Sequence, residues 1–230
     1  MDDTQHRLLE AQNKAFELFK TAEQEGFFQA GQTEDELNTR LYELAEELLG
    51  IKKYWHKRIV RSGENTLYPY KENPPNLMIQ ADDILFFDFG PVFEDWEADI
   101  GYTYVLGNDP NKLQLKADIT IAWEQGKIHF DKNPKITGAQ FYAYTQKIAK
   151  HMGWEFGNIH CGHLIGQFPH EKILGDDVES YIHPDNHTLM HGKDKFGNDL
   201  HWIYEIHFID RKQKIGGFIE KLLTVPYSLH

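Results

Sequence analysis

Four carboxylates of this chain lie in or beside runs of residues that are otherwise apolar or rich in glycine. Asp88 lies in ILFFDFG, Glu205 in WIYEIHFI and Glu220 in GGFIEKLL, and Asp99 directly precedes IGYTY. Such runs are typical of strands in a protein core. An ionised carboxylate in a core costs several kcal/mol unless it is paired or binds a cation. If the four converge, they must be protonated or bind cations, and two divalent ions would neutralise them.

Length and composition indicate a globular protein with a substantial core. The chain has 230 residues, of which 40% are hydrophobic and 26% charged, enough for one well-cored domain or two fused halves. The N-terminus lacks the basic and apolar pattern of a secretory signal, and no run of about 18 apolar residues occurs. A single cysteine, Cys161, excludes an internal disulfide. We therefore expect a soluble, cytoplasmic protein without a membrane partner.

The charge distribution argues against a nucleic-acid partner. The chain carries 36 acidic and 24 basic residues, for a net charge of −12, and the basic residues are scattered. A nucleic-acid-binding surface would need them clustered.

The order of the predicted elements is two helices followed by strands, twice over. The predicted helices are 4–22, a second that begins at the capping box of Thr33 and ends at Gly50, a third capped by Asp109 and a fourth from Thr137 to Gly153. The predicted strands are 53–60, 84–89, 203–209 and 218–225. In the third helix, Leu113, Ala117, Ile121 and Ile128 are the predicted apolar stripe, with Trp123 alongside it. This order predicts an α+β fold with two similar halves, 1–107 and 108–230, and a generic mixed α+β domain is the alternative.

Asp88 and Asp99 are expected to meet across a hairpin. Between them lie a turn containing Gly90 and Pro91 and a returning strand. Aspartates at strand ends also commonly accept hydrogen bonds from turn amides, so this pair alone does not establish a site.

The segment CGHLIGQFPHE places His163 and His170 seven residues apart. An Asp-x-Gly turn, a second Asp eleven residues on, this His segment and two later strand glutamates resemble the methionine aminopeptidase, Xaa-Pro peptidase and creatinase superfamily. The resemblance covers nearly the whole chain. It implies the pita-bread fold, with a curved antiparallel sheet and the site between two similar ααββ halves.

The resemblance also implies a dinuclear metal centre. Asp88 would bind one ion, Asp99 and Glu220 would bridge both, and His163 with Glu205 would complete the second. Oxygen ligands with one imidazole suit Mn, Fe, Co or Zn, and the ligand set does not choose among them. Two such ions share a bridging water or hydroxide that can hydrolyse a C–N bond.

The same resemblance assigns further catalytic roles. Glu205 would carry the proton of the attacking water, and His170 would contact the substrate carbonyl. Glu171 would orient His170.

Several residues depart from the family pattern. Tyr70 lies eighteen residues before Asp88, where the peptidases have a histidine that contacts the substrate near the scissile nitrogen. Leu164 replaces a glycine after the metal histidine, Phe218 replaces an arginine before the last ligand, and Ile206 replaces a proline after Glu205. Because all five ligands persist, these changes favour an unusual substrate over an inactive site.

The leading interpretation is a metal-dependent aminopeptidase or dipeptidase of the methionine or Xaa-Pro type. Hydrolysis of a non-peptide amide or other C–N bond, as in creatinase, and a non-catalytic binding module are the alternatives. The partner is expected to be a small peptide or amide. We expect no extra N-terminal domain of the kind that Xaa-Pro peptidases carry, and hence a monomer or homodimer. A polar insertion at 176–201 would shape the pocket mouth.

Overall fold

The computed structural model describes residues 3–168, 177–194 and 196–225. These residues form an α+β fold of helices packed on an antiparallel sheet. The helices are α1 (Asp3–Gln24), α2 (Glu34–Leu49), α3 (Pro110–Lys132) and α4 (Gly138–Met152). The strands are β1 (Ile59–Ser62), β2 (Ile84–Phe89), β3 (Val92–Phe93), β4 (Trp96–Glu97), β5 (Ile100–Val105), β6 (Glu155–Phe156), β7 (Ile203–Asp210) and β8 (Ile215–Leu222). Short 3₁₀ helices span Gly63–Leu67 and Val178–Ser180.

The helix ends follow the capping signals of the sequence. The Thr33 hydroxyl accepts a hydrogen bond from the Glu36 amide, and the Glu36 carboxylate accepts one from the Thr33 amide at 2.7 Å. Thr137 begins α4 with the same capping box. Gly50 and Gly153 end the two helices with φ of 68° and 86°, the left-handed conformation that glycine adopts without strain.

Within the described residues, the main sheet has six strands in the order β1-β2-β5-β8-β7-β6, and every pair is antiparallel. One register row crosses four of them, from Asp88 to Gly101, Glu220 and Glu205. Directly paired residues of antiparallel strands project on the same face, so the three carboxylates lie in one row on one face of the sheet. Gly101 carries no side chain, and a Cβ there would lie 2.8 Å from that of Glu220.

The two largest hydrophobic clusters of the described residues pack helices against the sheet. Helices α1 and α2 pack with β2 and β5 around Phe19, Leu41 and Phe87. Helices α3 and α4 pack with β7 and β8 around Phe141 and Tyr204. The division into similar halves at residue 107 stays a prediction.

The predicted strand at 53–60 is wrong over most of its length, because β1 begins only at Ile59. Residues 53–58 lie outside the main sheet, and only Tyr54 forms an isolated bridge, to Pro91. Two backbone hydrogen bonds hold this segment against the turn after β2: Trp55 donates to Gly90 at 2.9 Å, and Val92 donates to Lys53 at 3.0 Å. This segment is important for the site described below.

The predicted apolar stripe of α3 is also wrong. Leu113, Ile121 and Ile128 are 44–45% exposed. The buried face instead contains Leu115, Ile119, Ala122, Trp123, Gly126 and Phe130. The physical reason is the large ring of Tyr204, which packs directly against Gly126, where a Cβ would lie 2.3 Å from the ring.

The described part of the predicted insertion, 177–194 and 196–201, is mostly loop that packs beside α4. Gly138 donates to the Thr188 carbonyl at 3.3 Å, and Ala139 donates to that of Asn186 at 2.6 Å. Asp176 lies outside the described residues. Within the described ranges, the helices are too short or too polar to span a bilayer.

Candidate metal centre

The five predicted ligands come from three parts of the fold. Asp88, Glu220 and Glu205 belong to the register row, and Asp99 immediately precedes β5. His163 lies in a segment held along β7, where Ile203 donates to the His163 carbonyl at 2.8 Å and Glu205 donates to the Cys161 carbonyl at 3.1 Å. The sheet and this segment together therefore position the side chains.

Asp99, His163 and Glu220 form one potential metal-binding group. His163 Nε2 lies 3.0 Å from Asp99 Oδ2 and 3.6 Å from Glu220 Oε1. One ligand atom from each of the three lies within 4.8 Å of the others. All three residues are buried, with 2–7% of their surface exposed.

Asp88 lies on the other side of Asp99, in a second group that includes His56. His56 Nε2 is 3.0 Å from Asp99 Oδ1 and 3.5 Å from Asp88 Oδ1. Sequence reasoning missed His56 because it placed residues 53–60 in a strand, and nothing in the local pattern connects this residue with Asp99.

Glu205 has two polar neighbours that sequence reasoning also missed. Asn158 Nδ2 donates to Glu205 Oε1 at 2.8 Å. His160 Nδ1 lies 2.9 Å from the same oxygen. The only signal in the sequence was the position of His160, three residues before His163.

The carboxyl groups differ in their electrostatic environments. Burial, followed by the negative charge of Asp99, raises the pKa of Glu220 well above its ordinary value. Burial also raises the pKa of Asp88 to about 7, although His56 acts in the opposite direction. For Asp99, burial alone would raise the pKa, but His56 and His163 hold it below its ordinary value. Burial therefore works against ionisation of Asp88 and Glu220, whereas the two histidines favour the ionised form of Asp99.

The donor set fits divalent metal ions. Carboxylates and imidazoles are ligands of Mn, Fe, Co and Zn. The charge of a bound divalent ion would lower the pKa of Asp88 and of Glu220, which burial raises. Cys161 lies nearby, but burial raises the pKa of its thiol well above the ordinary value, and its Sγ donates to Thr145 Oγ1 at 3.7 Å. It is not a member of either group.

Tyr70 and Tyr181 lie at the outer side of the site. The Tyr70 ring is 5.6 Å from that of His56, and its hydroxyl accepts a hydrogen bond from the Lys57 amide at 3.4 Å. The Tyr181 ring is 4.8 Å from that of His160. Tyr70 is 39% exposed, so it can meet a ligand that approaches from solvent.

Two of the departures from the family pattern have structural explanations. Phe218 packs with Phe86, with ring centroids 5.4 Å apart, and so fills its place with an apolar ring. Leucine at position 164 has no such explanation, because its hydrogen bond with His163 Nδ1, at 2.8 Å, is accepted by the backbone carbonyl. Ile206 is fully buried in β7, where a proline could not donate to the sheet. His170 and Glu171 lie outside the described residues.

Comparisons with known proteins agree with this geometry. Residues 6–202 match the family described as metallopeptidase family M24. A curated relative, an Xaa-Pro dipeptidase of Lactobacillus delbrueckii subsp. lactis, is 25% identical over 174 residues. That match covers 72% of this chain and 47% of the relative, so the chain spans about half the length of that protein.

Solved structures share the fold at low sequence identity. An X-Pro aminopeptidase from Thermotoga maritima MSB8 superposes with a TM-score of 0.73 at 20% identity, covering 97% of this chain and 61% of that one. A prolidase from Pyrococcus horikoshii OT3 gives a TM-score of 0.74 at 18% identity, covering 99% and 63%. These values confirm the pita-bread fold.

Proposed function

The chain belongs to metallopeptidase family M24, and from that membership we propose that it is a dinuclear metal-dependent hydrolase of short peptides. The single observation that carries the proposal is the convergence of Asp88, Asp99, His163 and Glu220 into two buried groups that share Asp99, with Glu205 paired to Glu220 across β7 and β8. We propose these five as metal ligands, with Asp99 and Glu220 between the two ions.

Two bound divalent ions would supply an activated water at neutral pH and a Lewis acid for the scissile carbonyl. The protein must keep its ligands deprotonated and hold them in place. For Asp99, two imidazoles meet this requirement, because each has its Nε2 at 3.0 Å from a different oxygen of the Asp99 carboxylate.

Glu205 is the proposed proton carrier. Burial alone would raise its pKa, but the charge of His160 and the contact with it hold the pKa below the ordinary value. Its Oε1 is fixed by Asn158. An ionised, oriented carboxylate of this kind can accept a proton from the attacking water and pass it to the leaving amine. His170 remains the proposed contact to the substrate carbonyl.

Tyr70 is the proposed contact near the leaving nitrogen. Burial raises the pKa of its phenol, so the hydroxyl stays protonated at neutral pH and can donate a hydrogen bond. It cannot supply the positive charge of an imidazolium. This difference favours an amide with a good leaving nitrogen, and it keeps a non-peptide amide as the second candidate substrate.

An Xaa-Pro dipeptide is the first peptide substrate to test, because the curated relative bears that description. N-terminal methionine peptides come next. Mn is a candidate metal beside Fe, Co and Zn. The cytoplasmic location and the monomer or homodimer state remain predictions.

The test is turnover of a panel of Xaa-Pro dipeptides, N-terminal methionine peptides and non-peptide amides by the protein loaded with Mn, Co, Fe or Zn. We expect peptide cleavage that Asp99→Ala abolishes and that the exposed control variant His187→Ala retains. Cleavage of amides alone would select the second candidate. Binding of two metal ions without any turnover would contradict catalysis and favour a binding module.

A further inference from the structure

His56 enters the site from a segment that is anchored on both sides of the Asp88–Asp99 hairpin. The Trp55 amide donates to the carbonyl of Gly90, two residues after Asp88, at 2.9 Å. The Trp55 indole nitrogen donates to the carbonyl of Ala98, the residue before Asp99, at 3.0 Å. The hairpin that carries two of the proposed ligands therefore also fixes the position of His56.

The environment of His56 repeats that of His163. His56 Nδ1 lies 2.7 Å from the carbonyl of the next residue, Lys57, and His163 Nδ1 lies 2.8 Å from the carbonyl of its next residue, Leu164. In each ring this contact places the proton on Nδ1, because a carbonyl only accepts. Each Nε2 then points at Asp99, one at Oδ1 and the other at Oδ2, both at 3.0 Å. Metal-binding histidines typically donate one ring N–H to a carbonyl and bind the metal through the other nitrogen. Without metal each Nε2 faces a carboxylate, which only accepts, so Nε2 also carries a proton that a bound ion would displace.

Packing holds the ring in this orientation. The His56 side chain is only 8% exposed. The Trp55 ring contacts both imidazoles edge to face, with centroids 4.4 Å from His56 and 5.3 Å from His163. A Cβ on Gly90 would lie 2.3 Å from His56 Nε2, so the ring occupies space that only glycine leaves open.

We propose that His56 is an additional metal ligand, so that each ion of the centre carries one imidazole. His56, Asp88 and Asp99 hold one ion, while Asp99, His163 and Glu220 hold the other. This inference rests on the proposed dinuclear centre and adds a ligand beyond the five. Fe, Co and Zn bind imidazole more readily than Mg and Ca, which prefer oxygen ligands. His56 therefore makes the first site more selective for Fe, Co or Zn.

The experiment counts metal-bound imidazoles in the Co-loaded protein. Each histidine bound to Co through Nε2 retains one Nδ1 proton, which gives a strongly shifted, solvent-exchangeable proton NMR signal. We expect two such signals in the wild type. His56→Ala should remove one and His163→Ala the other, whereas His187→Ala, at an exposed histidine, should retain both.

Calorimetric titration with Co provides the second readout. We expect His56→Ala to weaken one of two binding events by about 10- to 100-fold and to change the other less. His56→Gln, which preserves more side-chain volume, is the second variant if the alanine variant does not fold. A wild-type spectrum with fewer than two such signals would overturn the proposal without any variant.

The outcomes separate this inference from the proposed function. A wild type that binds no metal under any loading condition would overturn both. A wild type that binds two Co ions with one imidazole signal, unchanged in His56→Ala, would overturn only the role of His56. Loss of turnover in His56→Ala with both signals and both affinities retained would likewise overturn it, and would make His56 a substrate contact.

Discussion

Replacing Gly90 with alanine should displace His56 and weaken metal binding although no proposed ligand is replaced. A Cβ at this position would lie 2.2 Å from His56 Cδ2, 2.3 Å from Nε2 and 2.5 Å from Trp55 Nε1. Ordinary contacts between carbon atoms begin at about 3.5 Å. The rings must therefore move by about 1 Å or more.

The size of this movement sets the expected effects. Overpacking of this kind typically costs about 1–3 kcal/mol of unfolding free energy. Metal ligands must keep their distances within about 0.2 Å, so a shift of 1 Å removes His56 from the coordination sphere. We expect Gly90→Ala to weaken one metal-binding event about as much as His56→Ala does.

The assay combines urea unfolding of the metal-free protein with calorimetric titration of Co. Gly192→Ala is the matched control, because a Cβ there would meet its nearest neighbours at 3.2 and 3.4 Å. We expect the control to change stability by less than about 1 kcal/mol and to leave metal affinity unchanged. A Gly90→Ala protein with wild-type stability and wild-type affinity would refute the packing argument for His56.

Three further variants test other parts of the structure. The Glu34 carboxylate accepts four hydrogen bonds, two from Ser62 and one each from Asn65 and Leu77. Glu34→Gln has one acceptor oxygen and should lower the free energy of unfolding by about 2 kcal/mol. An unchanged midpoint of urea unfolding would contradict this network. The Tyr54 hydroxyl has no hydrogen-bond partner among the described atoms, and burial raises its pKa to about 12, above the unfolded value of about 10. The unfolded state therefore loses this proton first, and the free energy of unfolding falls by about 1–2 kcal/mol as the pH rises from 10 to 12. Tyr54→Phe should reduce that fall while costing little stability at pH 7. If the fall between pH 10 and 12 is unchanged in Tyr54→Phe, the raised pKa of Tyr54 is refuted. Tyr70→His should raise peptide turnover, by about 10²-fold if the phenol limits leaving-group protonation, and unchanged turnover would show that Tyr70 does not limit it.

Much of the fold could be predicted because its signals are local. The capping box at Thr33 and the capping residue Thr137 act over at most three positions, and both helices begin where these signals predict. Strands β2, β7 and β8 lie within apolar runs that few other structures accommodate. The carboxylates were recognisable because they interrupt those same runs.

The errors occurred where distant parts of the chain decide the structure. Residues 53–58 leave the sheet because Trp55 bonds to Gly90 and Ala98, more than thirty residues away, and that geometry brings His56 to Asp99. The buried face of α3 depends on Tyr204, a residue of β7. No local pattern contains this information.

The most direct test of the account is the number of Co ions bound per chain, measured by elemental analysis and calorimetry on wild type and Asp99→Ala. Asp99 contacts both imidazoles at 3.0 Å, so it is the residue on which the two sites depend together. We predict two ions in the wild type and loss of at least one in Asp99→Ala. A wild type without metal, or an Asp99→Ala protein that binds two ions as tightly as the wild type, would contradict the dinuclear centre.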